Sequence, residues 1–542
     1  MPRTHAFGFV RRALRQALGP AVDGNALVAD ASSTGPARQA SMGECIPRRE
    51  FGRRAGLAAG ALTAAQLGLG GCHPELREPH SVARIAIVGA GMAGLVCAHR
   101  LARAGVIVAV YDASSRVGGR IWTARGKLQG GQHAELGGEL IDSGHRTLFA
   151  LAEELELDLD DLAPAPGVRA DTFYFRGRLL RDTDLAQAFR PIAIRMQHAL
   201  QAARRNPGAF ADLDARSLAA WLDAQPELDV DLKQLLSVAY TGEYGLPAEQ
   251  QSVFNLLWLI DSAKPDPFRV FGDSDERFHT HLGNDQFPAR LAAKLGHQVQ
   301  LGHRLTRVRE LAGKYRLSFD REGGAIEPEF DAVVFAVPFS VLRQIDLDLP
   351  LPPLKRRMIK ELGYGTNAKL VGQFRSRVWL EQQQASGTSI TDLPVQATWD
   401  SSRGQRGTNG LLSVFLGGAA GLAAAAGSPD ACMRGFLPHL DTIFPGTAAE
   451  YCEGSALRMH WPSMQFARGS YACYQPGQAA WSGRVGERVG HLHFCGEHTS
   501  AAFQGYMEGA AESGERAAQE LLSDLHLAAP PRRASHARSA PG

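Results

Sequence analysis

A strand, a glycine-rich turn, a helix and a second strand follow in unbroken order from Ala83 to Asp112, and a strand, turn and helix answer them from Leu492 to Ala518. Together these predict an α/β fold. The expected architecture is a Rossmann-like (glutathione-reductase-type) domain assembled from both ends of the chain, with a domain of mixed sheet plus helices between them. At 542 residues the chain exceeds one ordinary domain, and 44% hydrophobic with 21% charged residues is a globular balance.

The net charge of +2 is close to neutral, and much of the arginine excess lies before Arg54 and after Arg532. No basic face for nucleic acid follows from this composition. The seven cysteines form no C-x-x-C pair and no His/Cys cluster at ligand spacing, so no metal is predicted. If Cys45 and Cys72 belong to a leader, the remaining five are an odd number, and no disulfide can be assigned.

Residues 1–72 read as that leader. Pro47-Arg48-Arg49-Glu50-Phe51 and Gly52-Arg53-Arg54 precede a weakly apolar run, Ala55 to Gly71, rich in Ala and Gly. The pattern resembles a twin-arginine export signal, and its small residues make a poor membrane span. Periplasmic localisation is expected. Leu69-Gly70-Gly71-Cys72 resembles a lipobox, so a lipid anchor at Cys72 and ordinary cleavage with release both stay open. The address begins late in the chain, which points to Met42 as the translation start.

Ala83 to Val88 reads as a buried parallel strand, Leu95 to Ala102 as a helix and Val106 to Tyr111 as a second strand. The intervening Gly89-Ala90-Gly91-Met92-Ala93-Gly94 is a G-x-G-x-x-G turn. Gly89 permits the tight turn, Gly91 lets the backbone approach a pyrophosphate, and Gly94 lets the helix pack on the sheet. The helix N-terminus supplies donors for an anion. Asp112 stands where an acid binds ribose hydroxyls.

Arg116-Val117-Gly118-Gly119-Arg120 decides between cofactors. With it the chain resembles the flavin amine oxidase family (monoamine oxidase and L-amino-acid oxidase types), in which R-x-G-G-R follows the acid. The resemblance implies that Gly118 and Gly119 pass the pyrophosphate of FAD and that Arg120 lies near the flavin. Glu135-Leu136-Gly137-Gly138-Glu139 matches the family's second glycine turn, beside the isoalloxazine ring. At the far end Gly496-Glu497-His498-Thr499 and Gly505-Tyr506-Met507-Glu508-Gly509 match its closing motif. There the resemblance places Glu497 at the ribityl or pyrophosphate region and the Met507 amide at the flavin N1/C2 edge, where a helix N-terminus stabilises reduced flavin. Leu305 would meet the adenine with its backbone.

On the substrate side, Trp461-Pro462, Gly469-Ser470-Tyr471 and Pro476-Gly477 match the stretch that brings one wall of an aromatic cage to the flavin in monoamine oxidases. Tyr506 supplies the other wall, making Tyr471 and Tyr506 the catalytic candidates. Ser470 stands where those enzymes carry a flavin-linked cysteine, so FAD is expected to be non-covalent. Many relatives carry a lysine that holds a water on flavin N5. The stretch after Pro338, Leu342-Arg343-Gln344-Ile345-Asp346-Leu347, has none, which leaves open an electron acceptor other than oxygen. Arg146 is the arginine nearest these motifs in sequence, but its direction is not fixed by the pattern.

The expected activity is oxidation of a primary amine or an L-amino acid by hydride transfer to flavin N5. It gives an imine, then an aldehyde or keto acid with ammonia, and hydrogen peroxide where oxygen is the acceptor. A carotenoid-desaturase-like or other C–C oxidising flavoenzyme and a non-catalytic flavin-binding protein are the alternatives, and the oligomeric state stays open. The expected FAD-binding domain comprises residues 82–145, 280–340 and 485–524. Residues 146–279 and 341–484 form the substrate domain with a helical cover, and 528–542 a disordered tail rich in Pro, Ala, Ser and Arg.

Overall fold

The computed structural model describes residues 83–527; the leader and the tail lie outside the described residues. Five parallel strands form the central sheet, in the order Leu492–Phe494, Ala332–Phe335, Ile85–Val88, Val108–Tyr111, Val299–Gln300. Every residue of Ile85–Val88 is buried, as expected of a parallel strand covered on both faces. The second strand starts at Val108 rather than Val106, because Ile107 is 68% exposed and the chain joins the sheet only beyond it.

Two helices cover this sheet, Met92–Arg103 and Met507–Asp524, one from each end of the chain. They approach closely at Gly514, where a Cβ would stand 2.4 Å from the Ala93 carbonyl oxygen. A third helix, Arg146–Glu154, is anchored by the Glu508 carboxylate, which accepts the Thr147 and Leu148 N–H groups, both at 2.8 Å. Arg100 bridges Glu154 and Glu515. These bonds lock the C-terminal helix to the N-terminal unit and so fix the turn that precedes Met507.

The second domain is built on a seven-stranded sheet, ordered Leu457–His460, Ala368–Phe374, Gly410–Leu416, Ala397–Asp400, Ser389–Thr391, Thr172–Phe175, Arg178–Leu180. Its pairs are antiparallel except for Ser389–Thr391 against Thr172–Phe175, so the sheet is mixed. Residues 146–279 thus contribute two strands to this sheet besides their helices. The helices Asp182–Arg205, Pro207–Asp214, Leu218–Asp223, Val230–Tyr244 and Val253–Leu259 pack beside it. Asp229 caps one of them by accepting the Asp231 and Leu232 N–H groups, and Gly245 ends it in the left-handed conformation. Asp346–Asp348 pairs with Arg304–Leu311, carrying a small four-stranded sheet past residue 340.

Candidate active site

One cavity of about 1240 Å³ runs from Asp112 and the first glycine turn to Tyr471, Tyr506 and beyond. That exceeds the roughly 300–1,000 Å³ of an ordinary small-molecule site and suits a long cofactor with a substrate beside it. Gly89 has φ of +113°, and its N–H donates to the Tyr111 carbonyl at 2.7 Å, which makes the tight turn. Gly94 is a packing glycine: a Cβ there would meet the Gly89 carbonyl oxygen at 1.9 Å, and it does not line the cavity. At Gly91 a Cβ would meet no protein atom within 4 Å, and at Gly119 only the Gly91 Cα at 3.5 Å. The space between these turns is therefore left free by the protein.

That space fits a pyrophosphate. The Gly118 N–H donates to the Ala90 carbonyl at 2.9 Å and holds the second turn against the first. Helix Met92–Arg103 opens on it with no side-chain cap and no acid in its first turn, leaving backbone donors for an anion. Asp112 is positioned by the Ala90 and Ser114 N–H groups, both at 2.7 Å; burial raises its carboxyl despite those bonds. Leu305 lines an adjoining cavity of about 270 Å³ with Gly89 and Asp112.

Arg120, Gly137, Gly138, Glu139, Glu497 and Met507 all line the larger cavity. Arg120 and Glu497 form an ion pair at 2.8 Å. Glu497 also accepts the Gly505 N–H at 2.9 Å and the Ala472 N–H at 3.3 Å, and Arg120 donates to the Ser470 carbonyl at 2.7 Å. The pair thus joins three segments that wall the site. Gly138 faces the Met507 side chain, 2.8 Å from where a Cβ would sit. Helix Met507–Asp524 has no side-chain cap, so its first N–H groups are available to the cavity.

Tyr471 and Tyr506 come together at the far end. The Tyr471 ring lies 3.7 Å from the point a Cβ on Gly505 would occupy, and the His145 ring meets Tyr506 edge-on at 5.4 Å. The Tyr506 hydroxyl donates to Glu243 Oε1 at 3.3 Å. Burial pushes the Glu243 carboxyl up to about 7, with Asp142 adding to the rise and Tyr506 opposing it. Burial likewise pushes Glu276 up to about 8, with Glu243 and Asp142 reinforcing it, and Asp171 to about 6, with Asp182 reinforcing it. Asp171 and Glu276 are exposed residues that line the cavity. Arg146 does not line the cavity; Arg269 and Arg403 do.

The stretch after Pro338 holds no lysine, but one lines the cavity from another strand. Lys369, on strand Ala368–Phe374, lines the cavity and is only 3% exposed. Its ammonium donates to Glu139 Oε2 at 2.8 Å and to the carbonyls of Gly137 at 3.0 Å and Glu135 at 3.2 Å, and it stands 5.0 Å from the centre of the Trp399 ring. Burial drives the Glu139 carboxyl up, but the charge and hydrogen bond of Lys369 outweigh it and hold the group below the ordinary range. The available signal was a lone lysine inside an apolar strand sequence, since buried lysines occur almost only with a partner.

A cavity that begins as a dinucleotide cradle and ends between tyrosines defines a flavin-dependent oxidoreductase. The chain belongs to the flavin containing amine oxidoreductase family, whose profile it matches over residues 92–522. It is similar to an L-amino acid dehydrogenase of Synechocystis sp., at 24% identity over 83% of this chain and 97% of the relative. It is also similar to amine oxidase [flavin-containing] A of Equus caballus, at 24% identity over 81% and 85%. A putrescine oxidase structure shares the fold with a TM-score of 0.70 at 23% identity, covering 81% of this chain and 99% of that one. Cyclohexylamine oxidase from Brevibacterium oxydans does so with a TM-score of 0.71 at 23% identity, over 82% and 100%.

Proposed function

We propose that the protein oxidises a primary amine or an L-amino acid to an imine, which water converts to an aldehyde or keto acid and ammonia. The observation that carries this reading is the placement of Tyr471 and Tyr506 in the same cavity as the glycine turns. Relatives named as amine oxidases, an L-amino-acid oxidase and an L-amino acid dehydrogenase, and a neighbour solved with putrescine bound, support it. When bound, FAD supplies the hydride acceptor. The tyrosines exclude water and align the carbon that loses hydride. An amine must arrive neutral. Glu243, held near 7 beside the Tyr506 hydroxyl, takes the proton of an incoming ammonium on a carboxylate oxygen.

FAD is held without a covalent bond in this reading. The Ser470 hydroxyl donates to Asn367 Oδ1 at 2.5 Å and offers no thiol for a thioether. Lys369 takes the part that the N5 lysine has in relatives, which favours oxygen as acceptor and hydrogen peroxide as product. The residue pattern before Gly71 favours export by the twin-arginine route to the periplasm. Purified protein mixed anaerobically with pools of amines and of L-amino acids tests the central claim. Bleaching of the flavin by one pool is expected, with recovery and peroxide on admitting air; no bleaching by either pool would overturn the reading. Acid precipitation should release all of the flavin, and cell fractionation should find the chain in the periplasm.

A further inference from the structure

We infer that His145 is a positioning residue: its ring sets the angle of the Tyr506 ring and so brings the Tyr506 hydroxyl to Glu243. The inference rests on the amine-oxidising reading above, in which Tyr506 and Glu243 act on the incoming amine, and it says what holds that pair together. His145 stands just before helix Arg146–Glu154, is only 1% exposed and is not part of the cavity wall, so it acts through its neighbours. Its ring meets Tyr506 edge-on at 5.4 Å and Phe503 edge-on at 5.3 Å. The Tyr506 N–H donates to the Phe503 carbonyl at 3.2 Å, so one imidazole packs against both ends of the same turn.

The imidazole is itself held in one plane. Its Nδ1 accepts the Asp142 N–H at 3.0 Å, which places the ring proton on Nε2, 3.3 Å from Asp142 Oδ2. Asp142 in turn accepts the Ser274 hydroxyl at 2.9 and 3.0 Å and the Glu276 N–H at 2.8 Å. Beyond the ring contact the two turns are pinned a second time. Glu508, two residues after Tyr506, accepts the N–H groups of Thr147 and Leu148, both at 2.8 Å. The backbones are thereby held at a set separation, and the His145 side chain fills it.

Backbone anchors do not fix the rotation of a side chain; packing does. The Tyr506 hydroxyl reaches Glu243 Oε1 at 3.3 Å, toward the long end of a hydrogen bond, so a modest tilt of the ring breaks it. The titratable groups that bear on Tyr506 are Glu243, Asp142 and Tyr244, and those that bear on Glu243 are Tyr506 and Asp142. Asp142 keeps its bonds to Ser274 and to the Glu276 N–H whatever stands at position 145, so a change there reaches Glu243 through Tyr506.

The test uses the holoenzyme under anaerobic conditions and follows flavin reduction by stopped flow across pH, with the amine or amino acid that bleaches the parent fastest. H145A should lower the limiting rate by about 10-fold or more. It should also move the acid limb of the pH profile up by about half a unit to one unit, the shift that losing the bond from Tyr506 to Glu243 produces. The loss should fall on the limiting rate rather than on the apparent dissociation constant. H145L, which fills the space without an aromatic edge, should behave alike, and H145F, which restores the edge, should bring the limb back toward that of the parent. In a Y506F background, where no hydroxyl remains to be placed, H145A should move the limb no further. Flavin absorbance per chain checks the folding of each variant. An acid limb that stays in place in H145A and H145L, or that shifts equally in the Y506F background, would overturn the inference while leaving amine oxidation standing. If no amine or amino acid reduces the parent's flavin, the reading beneath it fails and takes the inference with it.

Discussion

Replacing Lys369 by methionine separates the electrostatic from the packing role of the cavity wall. The substitution keeps an unbranched apolar chain but removes the donor to Glu139 Oε2 and to the carbonyls of Gly137 and Glu135. Glu139 is only 9% exposed, so its carboxylate loses its counter-charge in a place water barely reaches. Breaking such a pair costs about 3–5 kcal/mol. Protonation of Glu139 sets a ceiling on the charge part of that cost. Neutralising a carboxyl of ordinary value 4.5 at pH 7 takes about 3.4 kcal/mol, at about 1.4 kcal/mol per pH unit, and at pH 5 about 0.7 kcal/mol. In K369M the folded-state value of Glu139 is raised rather than lowered, so stability falls as pH rises from the ordinary value toward the new one. Urea unfolding of K369M at pH 5 and pH 7, followed by tryptophan fluorescence, should therefore show a loss about 2–3 kcal/mol larger at pH 7. Adding E139Q should restore most of the difference, leaving about 1 kcal/mol for the carbonyls without their donor. A pH-independent loss, a loss under about 1 kcal/mol at pH 7, or no rescue by E139Q would refute the argument.

Other outcomes follow from the same geometry. Gly94→Ala should lose about 1–3 kcal/mol or more of stability, because its Cβ would stand 1.9 Å from a backbone oxygen. Gly91→Ala should match the parent in apoprotein stability but lose flavin, measured as absorbance per chain, because its Cβ enters space the protein leaves free. Tyr506→Phe removes the hydrogen bond that lowers Glu243, so the acid limb of the pH profile for flavin reduction should move up by about half a unit to one unit.

The cofactor side was legible because its constraints are local. Gly89, Gly91 and Gly94 serve three different steric ends within six residues, and a strand and a helix flank them in fixed order. The closing strand, turn and helix that carry Glu497 and Met507 repeat that local logic at the other end of the chain. The sequence did not reveal that Arg120 and Glu497 pair with each other, since 377 residues separate them and only the assembled sheet brings them together.

The substrate side depends on contacts of the opposite kind. Asp171 precedes a strand of the mixed sheet, Glu243 lies near the end of a helix, and Glu276 precedes a strand paired with Leu159–Asp161. Each residue alone reads as a solvated acid, and a polar residue at an element's end is the commonest place for one. Their shared cavity appears only when the seven-stranded sheet sets Thr172–Phe175 beside Ser389–Thr391 and so brings the segment before residue 279 to the strands after 368. Lys369 was hidden for a related reason: its role depends on Glu139, whose turn belongs to the N-terminal unit 230 residues earlier. The glycine turns thus shape one end of the cavity through local steric demands, whereas the acids at its other end are assembled from distant segments.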